Sequence, residues 1–359
     1  MSLRAPDHLL LRILRQPAQA ATLGPSAWDL LVRQARHADL MPRLYGLMET
    51  QGLLEHIPTK ARNHLESAAI VASRHQQEVE WEVRLISRAL ARLDLPVILL
   101  KGAAYVVARL PVAQGRLFSD VDILVPRARI NEVEAELMLH GWASTHHDAY
   151  DQRYYRDWMH ELPPMQHIHR MTSIDVHHGI LPDTARNHPD PAKLLAAAID
   201  VPGRPGLRIL QPVDMVLHSA CHLFHESETT HGLRDLLDLD MLLRDFSRQS
   251  GFWDQLIARA RELDLERALA YALRYTHGIL ATPVPDATLR ASAQALPHPL
   301  QLRLIDQIYL RILSPSHPSC TDWFSPIANR LLFIRGHWLR MPPILLARHL
   351  LHKAFIRPD

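Results

Sequence analysis

Lysine, cysteine, aromatic residues and long apolar runs are all scarce in this chain, and each shortage removes a class of protein. Lysine occurs only at Lys60, Lys101, Lys193 and Lys353, so arginine carries nearly all of the basic charge. Forty basic residues stand against 38 acidic ones, a net charge of +2 that leaves no electrostatic footprint for nucleic acid. Aromatic residues make up 6% of the chain, and no segment interleaves them with basic residues as a single-stranded RNA groove requires. Cys221 and Cys320 are far apart and match no metal or redox spacing. They fit a reducing compartment, and a cytoplasmic protein is expected. No stretch approaches about 18 uncharged apolar residues, so no membrane span is expected. Arg12 and Arg15 interrupt the apolar patch that begins Leu9-Leu10-Leu11, which argues against a secretory leader.

What is present is apolar residue enough, 47% of the chain, for a large core. The patterning divides it into a helical region over 1–94, a mixed core over 95–210 and a helical domain with a basic tail over 211–359. In the first part, Gly24-Pro25-Ser26 breaks the chain and offers Ser26 as an N-cap. A long amphipathic helix is predicted from about Lys60 to Asp94, with Leu65, Ala69, Ala72, Val79, Val83, Ile86 and Leu90 as its core stripe. The character changes at Leu95. Val97 to Leu100 reads as a buried strand, Gly102 starts a short helix closed by Pro111, and a loop over 112–118 leads to a second strand. After a helix ending at Gly141, residues 142–180 read as strand-rich, including the polar and aromatic stretch His146 to Tyr155. Helices are then predicted near 212–226, 232–248, 252–263, 265–280, 301–313 and 328–356, with a Pro-rich separator over 282–299.

The chemistry concentrates in Ser119-Asp120-Val121-Asp122-Ile123-Leu124-Val125. Strict alternation places Asp120 and Asp122 on one strand face, while Val121, Ile123 and Val125 face the core. Two neighbouring carboxylates repel unless a cation lies between them. Ser173-Ile174-Asp175-Val176-His177 supplies a third acid on an apolar alternation. Three carboxylates on neighbouring strands suit two divalent ions in phosphoryl transfer, and Mg²⁺ is the ion such a set prefers. The turn Lys101-Gly102-Ala103 offers phosphates a cation, a residue without a side chain and free amides.

The order Leu-Lys-Gly-Ala, Gly115-Arg116, Ser-Asp-Val-Asp-Ile-Leu-Val and Ile-Asp-Val-His resembles the bacterial uncharacterised nucleotidyltransferase family of the DNA polymerase beta-like superfamily. The resemblance covers roughly 95–179. It implies an α+β fold, a small mixed sheet with helices, flanked by N- and C-terminal helical regions. It also implies transfer of a nucleoside monophosphate from an NTP, ATP foremost, to an acceptor with two Mg²⁺ ions and release of pyrophosphate. Asp120, Asp122 and Asp175 would be the metal ligands and catalytic acids, with Lys101, Gly102, Ala103, Arg116 and Ser119 around the nucleotide. The superfamily's serine after glycine is Ala103 here, so Lys101 or Arg116 would have to replace its phosphate contact. That departure keeps open an alternative, a non-catalytic nucleotide- or partner-binding module on the same fold.

Other polar residues carry weaker signals. His160-Glu161, His167, His169, His177 and His178 are expected around the third acid. His160 and His177 are the candidates for an acceptor pocket or an acid–base group. His218, His222 and His225 recur at helical spacing; zinc is conceivable, but ordinary helix packing explains them as well. Arg234 is a candidate phosphate contact, although pairing with Asp238 one turn on would occupy it. The tail, with Arg335, Arg340, Arg348 and Lys353 among Trp338, Leu345, Leu346 and Leu350, could lie on an anionic membrane surface. The acceptor, a small molecule, a protein side chain or an RNA end, is not legible.

Overall fold

A computed structural model describes residue 3 and residues 6–146, 148–225, 231–342 and 346. Four helices open the chain: α1 (Leu9–Arg15), α2 (Pro25–His37), α3 (Met41–Thr50) and α4 (Thr59–Leu90). α4 runs 32 residues because no glycine or proline interrupts it, and Leu65, Ala72, Val79, Val83, Ile86 and Leu90 bury one stripe. Asp94, in the left-handed region at φ 46°, ends this part before Leu95-Pro96. The N-cap of α2 is Gly24, not Ser26. Pro25 takes the first helical position, where a missing N–H costs nothing.

The mixed core follows as β1 (Val97–Leu99), α5 (Lys101–Val107), β2 (Asp120–Leu124), α6 (Ile130–Leu139), β3 (Trp142–Ser144), α7 (Ala149–Arg153), β4 (Met165–His167), β5 (Ser173–His177), α8 (Pro191–Ala197), β6 (Ile199–Asp200) and β7 (Leu207–Ile209). Among the described residues these seven strands form one mixed sheet in the order β3-β4-β5-β2-β1-β7-β6. β2 lies at its centre, antiparallel to β1 and parallel to β5. The α+β fold expected from the sequence is the fold observed. Val121, Ile123 and Val125 are buried, as the alternation requires, and so is Leu124, because the carboxylate face is covered as well.

The strand-rich reading of 142–180 needs one correction. Residues 149–158 are helical, α7 running into a wider turn over Tyr154–Trp158. Tyr154 and Trp158 meet edge to face at 6.0 Å, four residues apart, and Arg156 reaches back to Glu134 of α6 with two hydrogen bonds of 2.9 and 2.6 Å. Spacing of four brings aromatic rings together on a helix, whereas on a strand it would leave them about 13 Å apart.

The C-terminal part is helical: α9 (Pro212–His225), α10 (Gly232–Phe246), α11 (Phe252–Glu262), α12 (Glu266–Leu280), α13 (Asp286–Ala293), α14 (Pro299–Ile312) and α15 (Ser325–Arg340). The predicted separator over 282–299 therefore contains a short helix, α13, which Pro285 precedes. α9 is the hub, packed on α5, α10, α11, α12 and α15. The helix expected over 328–356 begins at Ser325 and ends at Arg340; the remaining tail residues, Leu345, Arg348, Leu350 and Lys353 among them, lie outside the described residues. No helix among the described residues is long and apolar enough to cross a membrane.

Candidate active site

Register decides which side chains meet. β2 and β5 pair in parallel with Asp120 opposite Ser173, Asp122 opposite Asp175 and Leu124 opposite His177. Neighbouring strands lie about 4.8 Å apart, so Asp122 and Asp175 leave the sheet side by side, with Asp120 two residues away on the same face. Asp122 is 5% exposed. Its Oδ1 accepts hydrogen bonds from His177 Nε2 at 3.0 Å and from Lys101 Nζ at 3.4 Å. Asp120 accepts one from Ser119 Oγ at 2.9 Å. Arg170, which could have neutralised Asp175, instead grips Glu82 through two hydrogen bonds of 2.6 and 3.0 Å.

The electrostatics follow from this crowding. Burial, then Asp122 and Glu161, push the Asp175 carboxyl up to about 7. Burial and Asp122 raise that of Asp120. Burial would raise Asp122 too, but Lys101 and His177 outweigh it and hold that carboxyl below the usual range. Ionised together, the three acids set three negative charges against the one ammonium of Lys101. A compact, all-oxygen donor set with excess negative charge fits hard divalent cations such as Mg²⁺.

The turn after β1 is built for close approach. The Leu100 N–H donates to the Asp122 carbonyl at 3.0 Å, which ties the turn to the acidic strand. Lys101 sits at φ 42°, a left-handed conformation that costs a side-chain-bearing residue roughly 1–3 kcal/mol. A β-carbon on Gly102 would lie 2.7 Å from Phe118 Cδ1 and 2.8 Å from Arg116 Nη1. Only glycine lets the loop carrying Arg116 close over the helix start. Ala103 is 1% exposed and packs into the core beneath the turn.

Two cavities meet at the carboxylates. The first, about 210 Å³, is walled by Lys101, Gly102, Arg116, Ser119 and Arg234 together with Asp120 and Asp122. The second, about 220 Å³, is walled by Asp175, His160, Glu161, His177, His218 and Arg340. Lys101, Asp120, Asp122 and His222 border both. Arg116 is engaged from behind: its Nε donates to Asp238 Oδ2 at 2.9 Å, and Arg43 holds the other oxygen of the same carboxylate. Burial pushes His218 down to about 3 and His222 well below its ordinary value, so this wall presents neutral imidazoles. His177 is shifted the other way: burial opposes it, but Asp122 and Glu161 raise it.

A model of the family described as uncharacterised nucleotidyltransferase matches residues 24–281, well over half of the chain. The chain belongs to this family. Membership makes nucleotidyl transfer the general chemistry. The matched stretch runs from the start of α2 to the end of α12, wider than the 95–179 segment that carries the motifs. No curated protein and no solved structure matches the chain.

Within this nucleotidyltransferase, the site residues read from the sequence gather at one place with a single exception. Ala103 reaches neither cavity. Arg234 does not pair with Asp238; its Nε donates to Asp235 Oδ1 at 3.0 Å, and it still lines the first cavity. Of the histidines expected around the third acid, only His160 and His177 join it. His167 stands on β4, next to the edge strand β3, against Trp142 and Arg170, and His169 lies beside it. His178 serves through its backbone, its N–H donating to the His160 carbonyl at 2.8 Å. His218, His222 and His225 all line the second cavity. Sequence reasoning missed Arg43, Tyr105 and Ser219, which come from segments that read as ordinary helix, and His231, which lies between two predicted helices. The polar stripe of α9 was the one available signal for that wall: an apolar helix with histidines on one face must turn them toward something polar.

Proposed function

We propose that the chain transfers a nucleoside monophosphate from an NTP, ATP being the first donor to test, to an acceptor oxygen with release of pyrophosphate. The observation that carries this reading is the register that sets Asp122 opposite Asp175, with Asp120 on the same face, where two cavities meet. The first cavity takes the triphosphate, with Lys101, Arg116 and Arg234 facing it and Gly102 allowing close approach. The second takes the acceptor. Asp120, Asp122 and Asp175 would hold two Mg²⁺ ions, which supply charge neutralisation and a more acidic acceptor oxygen. Ser119 orients Asp120 through its hydroxyl, and His177 orients Asp122. Asp175, on the acceptor side, takes the acceptor proton as that oxygen bonds to the α-phosphorus and the bond to the β-phosphate oxygen breaks. Alignment and electrostatic stabilisation supply most of the rate.

The test is transfer of label from α-phosphate-radiolabelled ATP to components of a cell extract, read together with pyrophosphate release. Wild type labels an acceptor and Asp120→Asn with Asp122→Asn does not; persistence of transfer in the double variant overturns the reading. A second reading, the non-catalytic binding module, draws on Ala103, which supplies no hydroxyl, and on Arg116, which is held by Asp238. Calorimetric binding of ATP with Mg²⁺, without label transfer or pyrophosphate, supports that reading instead.

A further inference from the structure

Beyond the three aspartates, the second cavity contains a donor set of different chemistry. Glu161 pairs with His177 through an isolated antiparallel bridge, and hydrogen bonds from Leu162 N to the Val176 carbonyl at 2.9 Å and from His178 N to the His160 carbonyl at 2.8 Å extend it on both sides. The backbone therefore fixes His160, Glu161 and His177 relative to one another. One ligand atom from each lies within 4.8 Å of the other two.

One ring nitrogen of each histidine lacks a hydrogen-bond partner. His177 is 3% exposed and points Nε2 at Asp122, which leaves Nδ1 directed at Glu161 Oε2, 3.2 Å away, without a hydrogen bond. With a proton on Nε2, a neutral ring presents a lone pair at Nδ1. A lone pair facing a carboxylate in a buried site is repulsive unless a cation lies between them. His160 adds a second buried Nδ1 with no hydrogen-bond partner. A proton on His177 would answer only the first of these positions; a metal ion uses the cluster as a whole, through His177, Glu161 and one ring nitrogen of His160.

We infer that His160, Glu161 and His177 form a second cation site, for an imidazole-preferring first-row divalent ion of the zinc class, distinct from the all-carboxylate set of Asp120, Asp122 and Asp175. Two imidazoles and one carboxylate select such ions over Mg²⁺, which takes oxygen ligands. Zinc–ligand bonds of about 2.0–2.2 Å place tetrahedral donors roughly 3.3 Å apart. The Glu161–His177 separation of 3.2 Å already matches, and side-chain rotation closes the rest. Asp122 then acts as a positioning residue, its carboxylate fixing the His177 ring as such partners do for metal-bound histidines. Three protein donors leave a coordination position open to the cavity, the arrangement of a site that receives water or a substrate oxygen.

Cobalt is the probe, because Co²⁺ in a four- or five-coordinate nitrogen–oxygen site absorbs visibly and six-coordinate Co²⁺ hardly does. Metal-stripped full-length chain is titrated with Co²⁺ in the presence of excess Mg²⁺, without nucleotide. One equivalent should bind with intense visible bands that Zn²⁺ abolishes. Glu161→Gln and His160→Ala should each weaken the site by more than the roughly 10–100-fold produced by losing a supporting partner. Asp120→Asn should keep the bands, because Asp120 belongs to the other set. His160→Asn replaces His160→Ala if the latter fails to melt cooperatively. The inference is overturned if wild type binds no Co²⁺ or shows no bands, if the bands survive in both Glu161→Gln and His160→Ala, or if Asp120→Asn removes them. None of these readouts depends on nucleotidyl transfer.

Discussion

Asp238→Asn tests how the first cavity is held together. The Asp238 carboxylate is 5% exposed and joins Arg43, at 4%, to Arg116, at 11%, and so ties α3 and the 114–118 loop to α10. The amide keeps the shape and removes the charge, leaving two buried guanidinium groups facing a neutral side chain. Arg43 retains the Val112 carbonyl at 2.8 Å and Arg116 the Leu117 carbonyl at 3.3 Å, neither of which supplies charge. Breaking a buried pair by removing one partner costs about 3–5 kcal/mol. At roughly 2 °C per kcal/mol for a chain this large, the thermal midpoint should fall by about 6–10 °C. The pH dependence follows from the sign of the shift. Burial would raise the Asp238 carboxyl, but Arg43 and Arg116 hold it below the usual range. Its contribution is therefore complete above the unfolded carboxyl value of about 4, and is lost only as pH falls through the lowered folded value. The gap between wild type and variant should be flat through neutral pH and close only in strong acid. Adding Arg43→Met to Asp238→Asn should recover part of the loss, since one fewer cation is stranded. A midpoint within about 2 °C of wild type would refute the argument.

Two further outcomes follow from the same geometry. Gly102→Ala drives a β-carbon to 2.7 Å from Phe118 Cδ1 and 2.8 Å from Arg116 Nη1; it should cost about 1–3 kcal/mol in thermal unfolding and weaken calorimetric binding of ATP with Mg²⁺. Burial pushes His218 down to about 3 and His225 to about 4 in the folded chain, whereas the unfolded chain takes up these protons below about 6.5. Their stability is complete above about pH 6.5 and declines as pH falls, by about 2 kcal/mol each at pH 5, so His218→Gln should flatten the acid limb of stability measured against pH.

The legible parts of this molecule are those fixed by local period. Alternation in Asp120 to Val125 and the three-and-four spacing in α4 each state one burial face, and each was read correctly. The stretch 146–155 was misread because polar and aromatic residues carry no such face. Its helix forms through rings four residues apart and through Arg156 reaching Glu134. Of the site, the acids were legible because carboxylates on an apolar strand have no cheap alternative use. Their partners were not. Whether Arg234 pairs with Asp235 or Asp238, and whether Arg170 takes Asp175 or Glu82, depends on distances that only the packed chain sets. Arg43 illustrates the limit: it sits on a short N-terminal helix, and nothing in its neighbourhood announces a carboxylate 195 residues away.

Charge distribution gives the Ala103 substitution a physical setting. The first cavity is faced by the cations Lys101, Arg116 and Arg234 and by the anions Asp120, Asp122, Asp235 and Asp238, with Arg43 behind. Three cations against four anions leave the wall without net positive charge, so it offers a triphosphate no net attraction. In the proposed reaction the attraction would come from cations held by the carboxylates, and the missing serine hydroxyl would remove one neutral hydrogen bond, worth only about 0.5–1.5 kcal/mol net. The second cavity differs in kind: its acids Asp175 and Glu161 stand among imidazoles that burial keeps neutral at His160, His218 and His222. The three carboxylates and the imidazole-bearing set of the second cavity differ in donor chemistry, and Asp122, bonded to both Lys101 and His177, is one of the four residues that border both cavities.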